Sequence, residues 1–169
     1  MEFFEVVNTR RSIRSFTDDP VSEEIVERVL RAAMSAPSAG NQQPWHFVIV
    51  RDRKNLEQIP RFHPYAKMVE KCHVAVIVCG DPGGKKWPAF WTQDCSAATQ
   101  NMLLAARALG LGTVWAGIFP EESRMAGFRK LFGIPDNIFP FAIVPMGWPT
   151  GEFKEKERYN PTRVRREVW

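Results

Sequence analysis

Three segments of this chain carry residue types that chemistry uses. Arg10-Arg11-Ser12-Ile13-Arg14 places three guanidiniums and a hydroxyl within five residues. That set offers many donors and no acceptor beyond Ser12, which matches the needs of a phosphate dianion. A solvated basic turn fits this segment equally well. Arginine rather than lysine at every charged position leans towards bidentate recognition of an oxyanion. The second segment is Ala36-Pro37-Ser38-Ala39-Gly40-Asn41-Gln42-Gln43-Pro44-Trp45-His46-Phe47. Its small residues let backbone approach a flat ligand closely, with amides free to bond the ligand's edge. Asn41 and the glutamines serve equally to cap and pin the loop, and Trp45 reads as core. The third is Gly110-Leu111-Gly112-Thr113-Val114-Trp115-Ala116-Gly117. A glycine at the end of a strand fits backbone passing near a ligand, and fits a plain bulge as well.

The elements that must position these segments follow from periodicity. Phe3, Phe4, Val6 and Val7 predict a short amphipathic helix over residues 2–9. Ser22 is an N-cap with Glu23 and Glu24 in the favourable first turn. Val26, Val29, Leu30 and Ala33 continue it as a helix from Ser22 to Ser35, which Pro37 to Asn41 breaks into a loop. His46 to Val50 reads as a strand, and residues 52–72 show weaker helical periodicity. Val74 to Val78 is continuously apolar, as in a strand buried on both faces, and Asp81 to Lys86 is a turn-rich loop. From Trp91 to Leu109 the chain lacks proline and glycine, predicting a helix with Gly110 at C′. That helix is apolar around much of its circumference, as a central or subunit-interface helix is. Thr113 to Ala116 predicts a strand stopped by Gly117, and Glu121 to Phe132 a helix ended by Gly133. Phe139 to Met146 is a last strand, in which Pro145 argues against a fully paired central position. Helices mixed with strands, without strict βαβ alternation, predict an α+β fold.

The bulk numbers exclude several classes. A chain of 169 residues is the size of one domain. No apolar run reaches the roughly 20 residues of a membrane span, and the acidic start lacks signal-peptide layout, so the expected location is cytoplasmic with no membrane partner. Three cysteines form no CxxC pair, and the histidines have no ligand spacing, so neither a disulfide framework nor a metal is indicated. Cys79 reads as a buried thiol. A net charge of +4 says little about nucleic acid, but its distribution is uneven. Arg163, Arg165 and Arg166 cluster at the far end, opposite the arginines of the start. The two clusters either converge on one anion or lie on solvated surface. Residues 151–169 hold six basic and four acidic side chains and no core of their own.

Taken together, the segments resemble the nitroreductase family of FMN enzymes over nearly the whole chain. The shared elements are the RRSIR start, the APSAGNQQPWHF loop, the YAKM stretch, the QDCSAATQNMLLAARALGLGTVWAG block and an arginine-bearing tail ending in Trp169. Each motif alone is weak; their order and spacing make the match specific. The resemblance implies an α+β fold of the nitroreductase kind, with a mixed, mainly antiparallel sheet flanked by helices. It also implies a domain-swapped homodimer in which residues 151–169 dock on the partner subunit. It assigns Arg10, Arg11, Ser12 and Arg14 to the FMN phosphate, with Arg163 and Arg165 completing that site. It places Pro37, Ser38, Ala39 and Gly40, with Asn41 nearby, beside the isoalloxazine, often across the dimer interface. It brings the backbone of Ala116 and Gly117 to the reactive flavin edge, and Gln93 towards the flavin from the long helix.

The chain departs from its relatives at two positions. Pro64-Tyr65-Ala66 stands where some relatives have an asparagine, and Ala116 replaces an acidic residue common beside the strand-end glycine. The implied activity is transfer of reducing equivalents from NAD(P)H through FMN to a nitroaromatic or quinone by ping-pong turnover. No side chain is an obvious proton donor. The alternatives are a specialised activity within the family (enone reduction, reductive dehalogenation or flavin breakdown) and a non-catalytic flavin store. A nucleic-acid-binding role is disfavoured, because aromatics are not interleaved with the basic clusters and no binding motif appears.

Overall fold

A computed structural model describes residues 1–169. Helix α1 (Phe3–Thr9) is short and buries only Val6. In α2 (Glu23–Met34) the Ser22 side chain accepts a hydrogen bond from the Ile25 N–H, as the N-cap reading predicts. Strand β1 (Trp45–Val50) leads to helix α3 (Arg53–Gln58) and to 3-10 turns at Ile59–Arg61 and Pro64–Lys71. Proline enters both of those turns early, which explains the weak periodicity of this stretch. Strand β2 (Val74–Gly80) is buried throughout. Helix α4 (Trp91–Ala108) ends as predicted, with Gly110 at φ +85° just beyond its C-cap.

The predicted strand 113–116 is instead two short ones, β3 (Gly112–Thr113) and β4 (Ala116–Gly117). Helix α5 (Glu122–Phe132) closes on left-handed Gly133, and β5 (Phe139–Gly147) follows. The sheet runs β1-β2-β5-β3 with β4 also on β5, every ladder antiparallel. Strand β5 is therefore central, which corrects the expectation drawn from Pro145. Pro145 pairs with Ala75 on one edge. On the other edge β3 reaches only Met146 and β4 only Ile143, so the ladder is already interrupted beside the proline.

The sheet separates two cores. Val74, Val76 and Val78 face α2 and α4, whereas Ala75, Ile77 and Cys79 face the α3 and α5 side. Period-two alternation thus survives inside a continuously apolar run, because both faces are covered. The resulting fold is α+β, an antiparallel sheet flanked by helices.

Two glycines seat the arginine segment on the sheet. Gly112, at the start of β3, and Gly147, at the end of β5, are register partners. A Cβ on Gly112 would lie 2.6 Å from Ile13 Cγ2, and one on Gly147 would lie 2.9 Å from Phe16. Ile13 and Phe16 fill the space that side chains there would take. The Ile13 N–H donates to the Thr113 carbonyl at 2.8 Å, and the Thr17 N–H to the Trp148 carbonyl at 2.8 Å. Residues 12–17 are thereby laid along the sheet edge, with one parallel bridge between Ser12 and Thr113.

Candidate functional site

With Ile13 and Phe16 pinned, the arginines between and before them line two separate cavities. Arg14 joins Phe16, Tyr65, Lys67, Met68 and Lys71 around a cavity of about 650 Å³, with Glu70 at its wall. Arg10 and Arg11 line a smaller one of about 280 Å³ with Lys156 and Arg158, and with Glu155 and Glu157. The Arg11 Nη1 donates to the Arg10 carbonyl at 2.6 Å, while its buried Nη2 has no partner. Burial, then the charges of Arg11 and Arg158, pull the Arg10 guanidinium below its ordinary pKa. Arg10, Arg11, Arg14, Lys67 and Lys71 form no ion pair with any carboxylate. Like charges held together with an orphaned buried donor are costly unless an anion joins them. Ser12 is exposed beside them.

The strand-end backbone is reached from the larger cavity through two side chains. The Arg124 Nη1 donates to the Gly117 carbonyl at 3.0 Å, and its Cζ stands 5.4 Å from the Tyr65 ring centroid. Tyr65 in turn lines the cavity that holds Arg14. Behind them His63 is 1% exposed, edge-on to Phe128, with both ring nitrogens lacking a well-formed hydrogen bond. Burial and then Arg124 push the His63 pKa down, partly offset by the Gly117 backbone. Ala116 is buried and Gly117 half-buried.

The loop at 37–41 lies at the N-terminal end of α4. Gly40 and Asn41 adopt left-handed φ values of +55° and +54°, so the chain turns sharply there. The Ala39 N–H donates to Asp94 Oδ1 at 2.9 Å, and Gln42 Nε2 donates to Asp94 Oδ2 at 3.0 Å. Ser38 Oγ accepts from the Gln43 N–H at 3.0 Å. Pro37 is exposed, and Gln93 is exposed one residue before Asp94. Ala39 and Gly40 line a cavity of about 320 Å³ with Trp87 and Phe90, distinct from those of the arginines. A single chain thus brings Arg14 towards Gly117 but does not bring the 37–41 loop to either.

The tail is exposed at every residue from Lys154 to Trp169. The Arg163 backbone N–H bonds the Asn160 carbonyl, and Arg165 bonds the Thr162 carbonyl and stacks on Trp169. Neither guanidinium meets the arginines of the start. The tail instead meets them through residues 155–159, and Arg158, which the sequence reading passed over, is the guanidinium whose charge acts on Arg10.

Sequence reasoning also missed Tyr65, Lys67, Lys71, Asp94 and Arg124. For Asp94 a signal existed, since it is the sole acidic residue in the otherwise largely apolar α4; the structure shows it buried. Lys67 and Lys71 stand four residues apart, a helical spacing that hinted at a shared face. Arg124 carried no signal, because its partner is a backbone carbonyl seven residues away.

Comparison with known proteins places this architecture. The sequence profile of the Nitroreductase family matches residues 7–82 and 64–148. The chain belongs to the nitroreductase family. A Methanothermobacter thermautotrophicus protein named "Putative NADH dehydrogenase/NAD(P)H nitroreductase" is 48% identical over 169 residues, spanning 100% of this chain and 88% of that one. A crystal structure of the same description from Parabacteroides distasonis superposes with a TM-score of 0.94 at 38% identity, over 99% of this chain and 98% of that one. A Desulfovibrio desulfuricans crystal structure described as "a putative nitroreductase in complex with fmn" gives 0.85 at 29% identity, over 100% of this chain and 98% of that one. No helix here is long and apolar enough to cross a membrane.

Proposed function

We propose that this protein is an FMN-dependent oxidoreductase that takes a hydride from NAD(P)H and delivers it to an electron-poor organic acceptor, a nitroaromatic or quinone, by ping-pong turnover. The observation that carries this reading is the cavity of about 650 Å³ where unpaired Arg14, Lys67 and Lys71 meet Phe16, Tyr65 and Met68. Cations beside aromatic walls suit a ligand with a phosphate at one end and a flat ring at the other. FMN has that form, and when bound it supplies the hydride-accepting ring that no side chain can provide.

The protein's share is binding and orientation. Arg14, with Lys67 and Lys71, holds the phosphate at that cavity, while Arg10 and Arg11, which line the separate smaller cavity, and Ser12 between them and Arg14 add donors from the same segment. The backbone of Ala116 and Gly117, braced by Arg124, forms the rigid edge beside the ring. Pro37, Ser38, Ala39, Gly40 and Asn41, with Gln93, contribute from the partner subunit, which explains why one chain leaves them apart. Arg163 and Arg165 reach the phosphate when the tail docks on the partner.

A homodimer, domain-swapped through that tail, is supported by the apolar surface left open. Phe3 and Phe4 are 66% and 75% exposed, and Phe3 lines an apolar cavity with Val6, Leu104 and Ala105. The cytoplasm is the proposed setting. Stopped-flow bleaching of bound flavin by NADH and NADPH, followed by reoxidation with a nitroaromatic or quinone, tests the reading. Parallel double-reciprocal lines are expected; bleaching without acceptor-driven reoxidation would leave a flavin store instead.

A further inference from the structure

The segment that joins β2 to α4 presents two aromatic side chains to solvent, Trp87 at 47% and Phe90 at 43% exposure. Trp87 is nevertheless held firmly. Its backbone carbonyl accepts from Gln42 Nε2 at 2.9 Å, and its N–H donates to Gln42 Oε1 at 3.2 Å. The same Gln42 amide donates to Asp94, which also binds the Ala39 N–H. Residues 39–42, Trp87 and the first turn of α4 are thus one hydrogen-bonded unit. The indole itself packs on Gly40, where a Cβ would come within 3.0 Å of Trp87 Cδ1. Beside them lies the cavity of about 320 Å³ walled by Ala39, Gly40, Trp87 and Phe90.

We infer that Trp87, positioned by Gln42 and Asp94, is a specificity-determining residue that stacks the planar, electron-poor ring of the acceptor. The inference rests on residues 37–41 being the flavin loop, because Trp87 then stands at the border of the reacting ring. An indole is electron-rich and stacks best on an electron-poor face, so the side chain is matched to acceptors of that class. A fixed aromatic also loses little conformational freedom when a ligand arrives. Lys86 Nζ lies over the indole face, 5.3 Å from the Trp87 centroid; its side chain is exposed, so an arriving ring displaces it to the side, where its charge favours anionic substituents.

The test uses the FMN-loaded, full-length protein with Trp87→Ala and Trp87→Phe. An aromatic stack contributes about 0.5–1.5 kcal/mol, so Trp87→Ala should raise KM for a quinone and a nitroaromatic roughly 2- to 10-fold. Trp87→Phe should recover most of that loss, and kcat should stay within about threefold. Ferricyanide, which offers no ring to stack, should keep its KM, as should NAD(P)H in the flavin-bleaching step. Equal changes for ferricyanide and quinone, or no change for either, would overturn the assignment. Loss of FMN or of the dimer in Trp87→Phe would also overturn it, by showing the indole to be structural. An unaltered protein that binds no FMN would instead remove the flavin-loop reading on which the inference stands.

Discussion

Arg124 holds the Gly117 carbonyl at 3.0 Å, and buried His63 faces the same peptide from behind. A hydrogen bond from a charged donor contributes about 1.5–3 kcal/mol. Arg124→Gln should therefore lower unfolding stability by about that amount, measured by urea titration, and Arg124→Lys by less. His63 adds a pH signature. Its folded pKa lies below the ordinary value, so the unfolded chain takes up a proton where the folded one does not. Stability should be full above about pH 6.5 and fall as pH drops below it, until the folded imidazole also titrates. His63→Gln should flatten that slope in chemical unfolding between pH 5 and 8; an unchanged slope would assign it elsewhere.

The cationic cavity predicts a preference for FMN over riboflavin, which has the same ring and no phosphate. Arg14→Ala and Lys67→Ala should each weaken FMN binding about 10- to 150-fold, from the same energy per charged hydrogen bond. Riboflavin affinity should barely move. Arg166→Ala, exposed and outside both cavities, should act weakly. Fluorescence titration of both flavins at low and high salt separates specific contact from general surface charge, since only the latter vanishes on screening.

Dimerisation is expected to be inseparable from flavin binding. Phe3→Glu would put a charge into the open apolar face of α1 and α4 and should yield monomers in sedimentation. Truncation after Gly151 removes a segment whose residues are almost all exposed in one chain. If the tail docks on the partner, that truncation weakens both dimer and FMN binding. A truncated dimer with unaltered FMN affinity would refute the tail's role.

The three thiols should be chemically silent in the folded protein. Burial pushes Cys72, Cys79 and Cys95 each up to about 12, and none is exposed. Iodoacetamide at pH 8 should label none of them in the native state and all three in guanidinium. Native labelling of any one would show local opening of the sheet or of α4.

Much of the scaffold was legible in local pattern. The cap at Ser22, the all-apolar run of β2, the span of α4 with Gly110 beyond it and the left-handed stop at Gly133 each depend on near neighbours in sequence. Periodicity and capping report such features because their partners lie within one or two turns. The arginine segment and the 37–41 loop were visible for a similar reason, as unusual concentrations of donors or of small residues. Other features depended on partners that meet only in space. Pro145 looked like an edge residue, yet it sits in the central strand, because the gap between β3 and β4 falls beside it. Gly112 and Gly147 gained their meaning from Ile13 and Phe16, which no spacing rule connects to them. Asp94 meets Ala39 across 55 residues of chain, and Arg124 meets a backbone carbonyl, which has no side-chain signature. The sequence by itself determined where the capped helices and the apolar strand β2 lie and which residues carry charge. Which charges share a cavity was decided by tertiary packing, because hydrogen bonds and steric fit act through distance in space and not along the chain.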